Sequence, residues 1–421
     1  MIEETGGRLP EECPSHSLAG TNPHPSPVTQ QLIGGDCDSR FQRVREEFER
    51  NFAERGELGA SVCVMVDGET VVDLWGGIAD PKTGQPWNRD TVNVVMSCSK
   101  GLTATCLTML VDRGRIDLDQ PVARYWPEFG RNGKSEITVR QVATHQSGVA
   151  HVTGRVPPGG MCDWNAMVAL LERQAPLWQP GTRTGYHSFT IGFILGELLS
   201  RVDGRSIGTF LRDEIAEPLG LDCWIGLPAD IEPRVAPSIP AGVASPPAPG
   251  SILELIATNS GGWFSSWDSR EAHAAELPAS GAVSNARGLA GHYAPLALGG
   301  SHRGVRLLSE EAAIGLRYPQ AASDVDAVLG IRTAYSIGYS KSWVNPAATC
   351  LRFGEDAFGT SGLGGQVAFA DPGYRMSFGY TLNRHAVGTG INDRGQALVD
   401  TVYQILGSPT KRLGYWARRP S

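Results

Sequence analysis

Apolar positions give the first outline of this chain. Phe41, Val44, Phe48 and Phe52 recur at helical spacing and predict a first helix over about 38–55. Residues 60–66 are β-branched and apolar, Asp67-Gly68 is a hairpin turn, and 70–75 is the return strand. Cys98, Leu102, Cys106 and Leu110 repeat at helical spacing, with Gly114 as a stop. The middle of the chain is helical and loop-rich. Short helices are expected over 137–144, entered from Thr138, and over 163–174, with Asp163 as N-cap. Residues 189–202 read as a buried helix ending near Gly204, and 206–215 as its successor. Pro, Ala and Gly mark 228–250 as a long loop. After a helix at 284–298, strand patterns return at 334–341, 366–370 and 375–382. A helix over 393–406 follows.

This order predicts an α+β fold. An antiparallel β-sheet assembled from early and late parts of the chain is flanked by helices, the helical middle forms a second lobe, and the active site lies in the cleft between them. The expected divisions are a loosely ordered arm at 1–37, a sheet domain from 38–100 and 270–407, a helical lobe at 101–269, and a tail at 408–421.

Composition narrows the function classes. With 421 residues, 41% hydrophobic and 19% charged, the chain is an ordinary globular protein that can bury a large core. A net charge of -7 and the lack of a basic run argue against nucleic acid as a partner. The start is acidic, and no apolar run approaches the ~18–20 residues of a spanning helix, so a cytoplasmic protein without a membrane partner is expected. Eight cysteines scatter without disulfide or metal-ligand spacing and read as reduced.

The candidate chemistry lies at Ser97-Cys98-Ser99-Lys100. A hydroxyl nucleophile needs a base, and residues three apart on a helix share a face. Ser97 would stand at the start of the helix, where backbone N–H groups favour developing negative charge. A second Ser-x-x-Lys, Ser408 to Lys411, has no helix after it and is set aside. There is no Gly-x-Ser-x-Gly elbow. His145 and His151 show no metal-ligand pattern, and His145 reads as packing. Trp263, Trp267 and Trp343 are candidates for an acyl pocket.

Further along, Gln141-Val142-Ala143-Thr144-His145-Gln146-Ser147-Gly148, Pro180-Gly181 followed by Tyr186-His187-Ser188, Ser284-Asn285-Ala286-Arg287-Gly288, and Phe358-Gly359-Thr360-Ser361-Gly362-Leu363-Gly364-Gly365 stand in an order that resembles a known family. Together with Val72–Asp80 and the Ser97 motif, they are similar to the serine β-lactamase and penicillin-binding-protein superfamily, in particular its class C-like branch, the family VIII carboxylesterases. The resemblance spans roughly 38–407. It implies Ser97 as nucleophile, Lys100 and Tyr186 as proton-transfer groups, and the N–H groups of Ser97 and Leu363 as oxyanion donors. Ser188, where the family has Asn, with His187, Thr360, Ser361 and Gly362, would contact substrate. Thr360 stands where β-lactamases have lysine, which turns the expectation from β-lactams toward compact esters. No metal or organic cofactor is implied, and the expected partner is a small ester or acyl substrate. The alternatives are an acyltransferase, transesterase or amide synthase using the same acyl-enzyme; a β-lactamase or D-peptidase; and a non-catalytic binding protein.

Overall fold

A computed structural model describes residues 33–240, 246–341, 353–388 and 390–408, with the short strands Thr410–Lys411 and Tyr415–Trp416. Asp67 and Gly68 take positive φ of 51° and 85°, closing the expected hairpin between Gly59–Val66 and Glu69–Asp80. Strand Met376–Leu382 pairs antiparallel with Gly59–Val66, so strands from early and late in the chain meet at the sheet centre. The sheet continues through Val367–Asp371, Phe358–Ser361, Ser340–Lys341 and Thr333–Tyr335 to Ala321–Ser323, ten strands in all among the described residues.

The opposite edge is Gly34–Cys37, paired with Glu69–Asp80. Residues 34–37, expected to belong to an arm over 1–37, are instead this edge strand, and 1–32 lie outside the described residues. Two glycines hid this strand from a propensity argument. The Trp75 indole explains one of them, because a Cβ on Gly34 would come within 2.6 Å of it. The strand expected over 334–341 is likewise two short strands, separated by a turn in which Gly338 has φ 77°.

Strand alternation sorts the two faces. Val62 and Val64 join Phe41, Val44, Phe48, Leu398 and Val402 in one core, under helices Gln42–Glu54 and Asp393–Ile405. Cys63 and Met65 face Ala286, Ala290 and Ala294 of helix Ala286–Ala297. Small residues let that helix come close: a Cβ on Gly379 would lie 2.3 Å from the Ala286 carbonyl oxygen. A larger apolar cluster then links the sheet to helices Ser99–Asp112, Trp164–Arg173 and Thr190–Asp203. Local signals hold here. Thr138 and Gln141 form a capping box ahead of Val139–Ala143, Asp163 caps Trp164–Arg173, and Gly204 ends Thr190–Asp203 at φ 94°. Among the described residues, no helix is long and apolar enough to cross a membrane.

Candidate active site

Ser97 sits in a 3₁₀ turn, Met96–Cys98, that runs directly into helix Ser99–Asp112. Met96 adopts φ 48°, a left-handed conformation that costs a non-glycine residue energy and bends the chain sharply into the helix. The turn is held from outside, by the Val95 N–H donating to the Ala282 carbonyl and the Ala282 N–H donating to the Ser99 hydroxyl.

Lys100, one helical step on, is 4% exposed. Its Nζ lies 3.1 Å from Ser97 Oγ, 2.8 Å from the Ser188 carbonyl and 2.8 Å from the Ala279 carbonyl. Burial pulls its ammonium down to about 7. Two of its three partners are carbonyls, which only accept. The third is a hydroxyl, which can also donate. A neutral amine has two N–H bonds and one lone pair, and this partner set matches it.

Tyr186 closes the group. Its hydroxyl is 2.9 Å from Ser97 Oγ, and Lys100 Nζ lies 4.8 Å from its ring centroid. Burial raises the phenol above its ordinary value, so it stays protonated and donates. The segment carrying it is pinned residue by residue. The Ala327 N–H donates to the Thr184 carbonyl and the Gly185 N–H to the His145 carbonyl. The Tyr186 N–H donates to Asp326 Oδ1 at 2.9 Å, and the His187 N–H to His145 Nδ1 at 3.0 Å. His145 itself has φ 62° and is buried, its ring packed on those of Tyr186 and Tyr335. Lys100, three residues from Ser97, and Tyr186, 89 residues away, thus converge on the Ser97 oxygen.

Residues 44–401 match the Beta-lactamase family. The chain belongs to that family. Esterase/beta-lactamase LipL of Mycobacterium tuberculosis is 34% identical over 377 residues, covering 86% of this chain and 85% of LipL. A penicillin-binding protein homologue from Caulobacter crescentus superimposes with a TM-score of 0.81 at 36% identity, over 89% of this chain and 100% of that one. A family VIII carboxylesterase gives 0.77 at 36% identity, over 89% and 100%. The fold is the β-lactamase-like α+β fold, and the chain is an enzyme of the serine β-lactamase superfamily.

Within that family frame, the other expected residues divide. Strand Phe358–Ser361 borders the Ser97 turn: a Cβ on Gly362 would lie 2.8 Å from the Val95 carbonyl oxygen and 3.0 Å from Met96 Cβ. Ser361 and Leu363 on either side are partly exposed. Ser188 is also partly exposed, and its carbonyl is engaged by Lys100.

Two of the residues expected to touch substrate are buried. His187 is fully buried, with Nε2 bonded to the Ser147 hydroxyl at 2.7 Å and Nδ1 to the Gly185 carbonyl at 2.6 Å. Although adjacent to Tyr186 in sequence, its ring nitrogens are engaged by Ser147 and Gly185 and not by Ser97. Thr360 is 3% exposed and its hydroxyl lies 3.3 Å from that of Tyr293, under the nucleophile helix.

Trp263 and Trp267 are largely buried, and Trp343 lies outside the described residues. Their neighbours Phe189, next to Ser188, and Phe264, which is 42% exposed, were not singled out by the sequence. Asp326 and the Ala279 carbonyl were also missed. Neither lies in a motif, and a main-chain oxygen carries no sequence signal. Among the described residues, no cluster of three His, Cys, Asp or Glu side chains is placed to hold a metal ion.

Proposed function

We propose that this enzyme is a serine carboxylesterase acting on small or compact esters through an acyl-enzyme on Ser97. The observation that carries the reading is the partner set of Lys100: two carbonyls and the Ser97 hydroxyl. With its two N–H bonds directed at Ser188 and Ala279, neutral Lys100 presents its lone pair to Ser97 Oγ–H. Lys100 takes that proton as Oγ attacks the ester carbonyl carbon. The carbonyl oxygen becomes an oxyanion, which the N–H groups of Ser97 and Leu363 receive; each such donor stabilises the transition state by about 2.7–4 kcal/mol. As the intermediate collapses, the phenol of Tyr186 protonates the departing alkoxide and is refilled from the Lys100 ammonium. Water then repeats the cycle on the acyl-enzyme and releases the acid.

The substrate class follows from charge and space. Thr360 brings no cation where a lysine would attract the carboxylate of a β-lactam, which favours neutral esters. Phe264, exposed and packed on the buried Phe189 that follows Ser188, offers apolar surface to an acyl group. The six described cysteines are all free thiols, which supports a reducing, cytoplasmic setting.

Intact-mass analysis after fluorophosphonate treatment tests the reading. One adduct is expected, at Ser97, and Ser97→Ala should lose both the label and at least about 10⁴-fold in p-nitrophenyl acetate turnover. Turnover that survives in Ser97→Ala, or a label on another residue, overturns it. An added alcohol or amine acceptor distinguishes hydrolysis from acyl transfer by the ratio of acid to transfer product.

A further inference from the structure

Asp326 lies in the turn between strands Ala321–Ser323 and Thr333–Tyr335 and is 1% exposed. Its carboxylate is met by five neutral donors. Oδ1 accepts from the N–H groups of Tyr186 at 2.9 Å, Val328 at 2.9 Å and Leu329 at 3.0 Å. Oδ2 accepts from the Thr333 hydroxyl at 3.1 Å and the Tyr335 phenol at 3.4 Å. The Val328 and Leu329 bonds fold the turn around the carboxylate, and the Thr333 and Tyr335 bonds tie it to the sheet edge. Of the five, only the Tyr186 bond leaves this hairpin, and it reaches the residue whose hydroxyl touches Ser97.

A second route runs through rings. Tyr335, bonded to Oδ2, packs on His145 with centroids 4.4 Å apart, and His145 packs on the Tyr186 ring at 5.1 Å. One buried carboxylate thus fixes both the main chain of Tyr186 and the stack behind its ring. A surface loop with no site motif would not need a buried anion for its own sake, since burying a carboxylate is costly unless it is well bonded.

We propose that Asp326 is a positioning residue for the reaction: it holds Tyr186 so that its phenol meets Ser97 Oγ. This rests on the reading of Tyr186 as a proton-transfer group. Asp326→Asn keeps the size of the side chain, removes its charge and replaces one acceptor oxygen with a donor. In p-nitrophenyl acetate hydrolysis it should lower kcat roughly 10²-fold, the cost of a displaced catalytic group, with KM within about twofold. The decisive measurement is the double variant. In a Tyr186→Phe background, Asp326→Asn should cost less than about threefold more, because a residue acting through Tyr186 has nothing left to position; a purely structural role would multiply the two losses.

If Asp326→Asn does not fold, Thr333→Val takes one donor from Oδ2 and leaves the carboxylate. A loss of roughly 3–10-fold in kcat is expected, again absent when Tyr186 is Phe. Full activity in the Asp326→Asn and Thr333→Val variants, or losses that multiply, overturns the inference. If Tyr186→Phe itself keeps full turnover, the catalytic reading falls and this one falls with it. If Tyr186→Phe is impaired and Asp326→Asn is not, only the positioning role is lost.

Discussion

Lys100 and Lys134 are alike in most respects. They are 4% and 0% exposed, and each faces three oxygens from the protein. Each also has an aromatic ring beside its nitrogen, Tyr186 at 4.8 Å for Lys100 and Phe129 at 5.3 Å for Lys134. Burial lowers both ammonium groups, Lys100 to about 7 and Lys134 to about 8. They differ in the Glu172 carboxylate, whose charge acts on Lys134 alone, and in one hydrogen-bond partner. Lys134 is surrounded by the carbonyls of Arg131, Glu172 and Gln174, all acceptors, so the site calls for three N–H bonds and a proton that stays. At Lys100 a serine hydroxyl takes the place of the third carbonyl. Lowered basicity therefore does not distinguish a base from a strut. The donor and acceptor character of the neighbours does.

The distinction can be broken, most sharply at Lys100. Lys100→Arg puts a permanent cation there that cannot release its proton near neutrality, so kcat/KM should fall roughly 10³-fold. Activity close to that of the parent enzyme would mean that the lone pair is not used. A smaller effect is expected from acid alone. Below a pH of about 7, kcat/KM should fall about tenfold per unit as Lys100 takes up a proton and loses its lone pair. A flat acid limb would contradict the assignment. The smallest effect on catalysis belongs to the other lysine. Lys134→Met should leave kcat/KM within about twofold, while urea unfolding registers a loss of about 1–3 kcal/mol from carbonyls left without a donor. If this variant were as inactive as the Lys100 one, the comparison would have no content.

Much of the site was legible where spacing alone determines direction. Ser97 and Lys100 are three apart on one helix, so their meeting follows from helical geometry. The hairpin at Asp67-Gly68 and the caps at Thr138 and Asp163 were visible for the same local reason. Tyr186 was reached only through family resemblance, because no local rule sends a loop tyrosine to a distant serine. His187 shows the limit on the other side: proximity in sequence to a site residue says nothing of orientation, and its imidazole bonds inward to Ser147. Thr360 was expected at the substrate, but the neighbour that covers it, Tyr293, comes from a distant helix that no local pattern connects to it. Asp326 lies in no motif, and the donor that ties it to the site, the Tyr186 N–H, is 140 residues away in the chain. The strand Gly34–Cys37 was hidden because its glycines answer to Trp75 across the strand pair.

The pairing of Gly59–Val66 with Met376–Leu382 has a consequence for how the protein is made. The Gly59 N–H bonds to the Asn383 side chain across 324 residues of chain. On the ribosome, the nucleophile is synthesised long before the strand that completes the sheet. Until that strand arrives, the early hairpin offers a bare edge and an uncovered apolar face, an invitation to chaperones or to aggregation. Contacts of such long range also slow folding. The sheet that borders Ser97 is therefore completed only after Met376–Leu382 has been made.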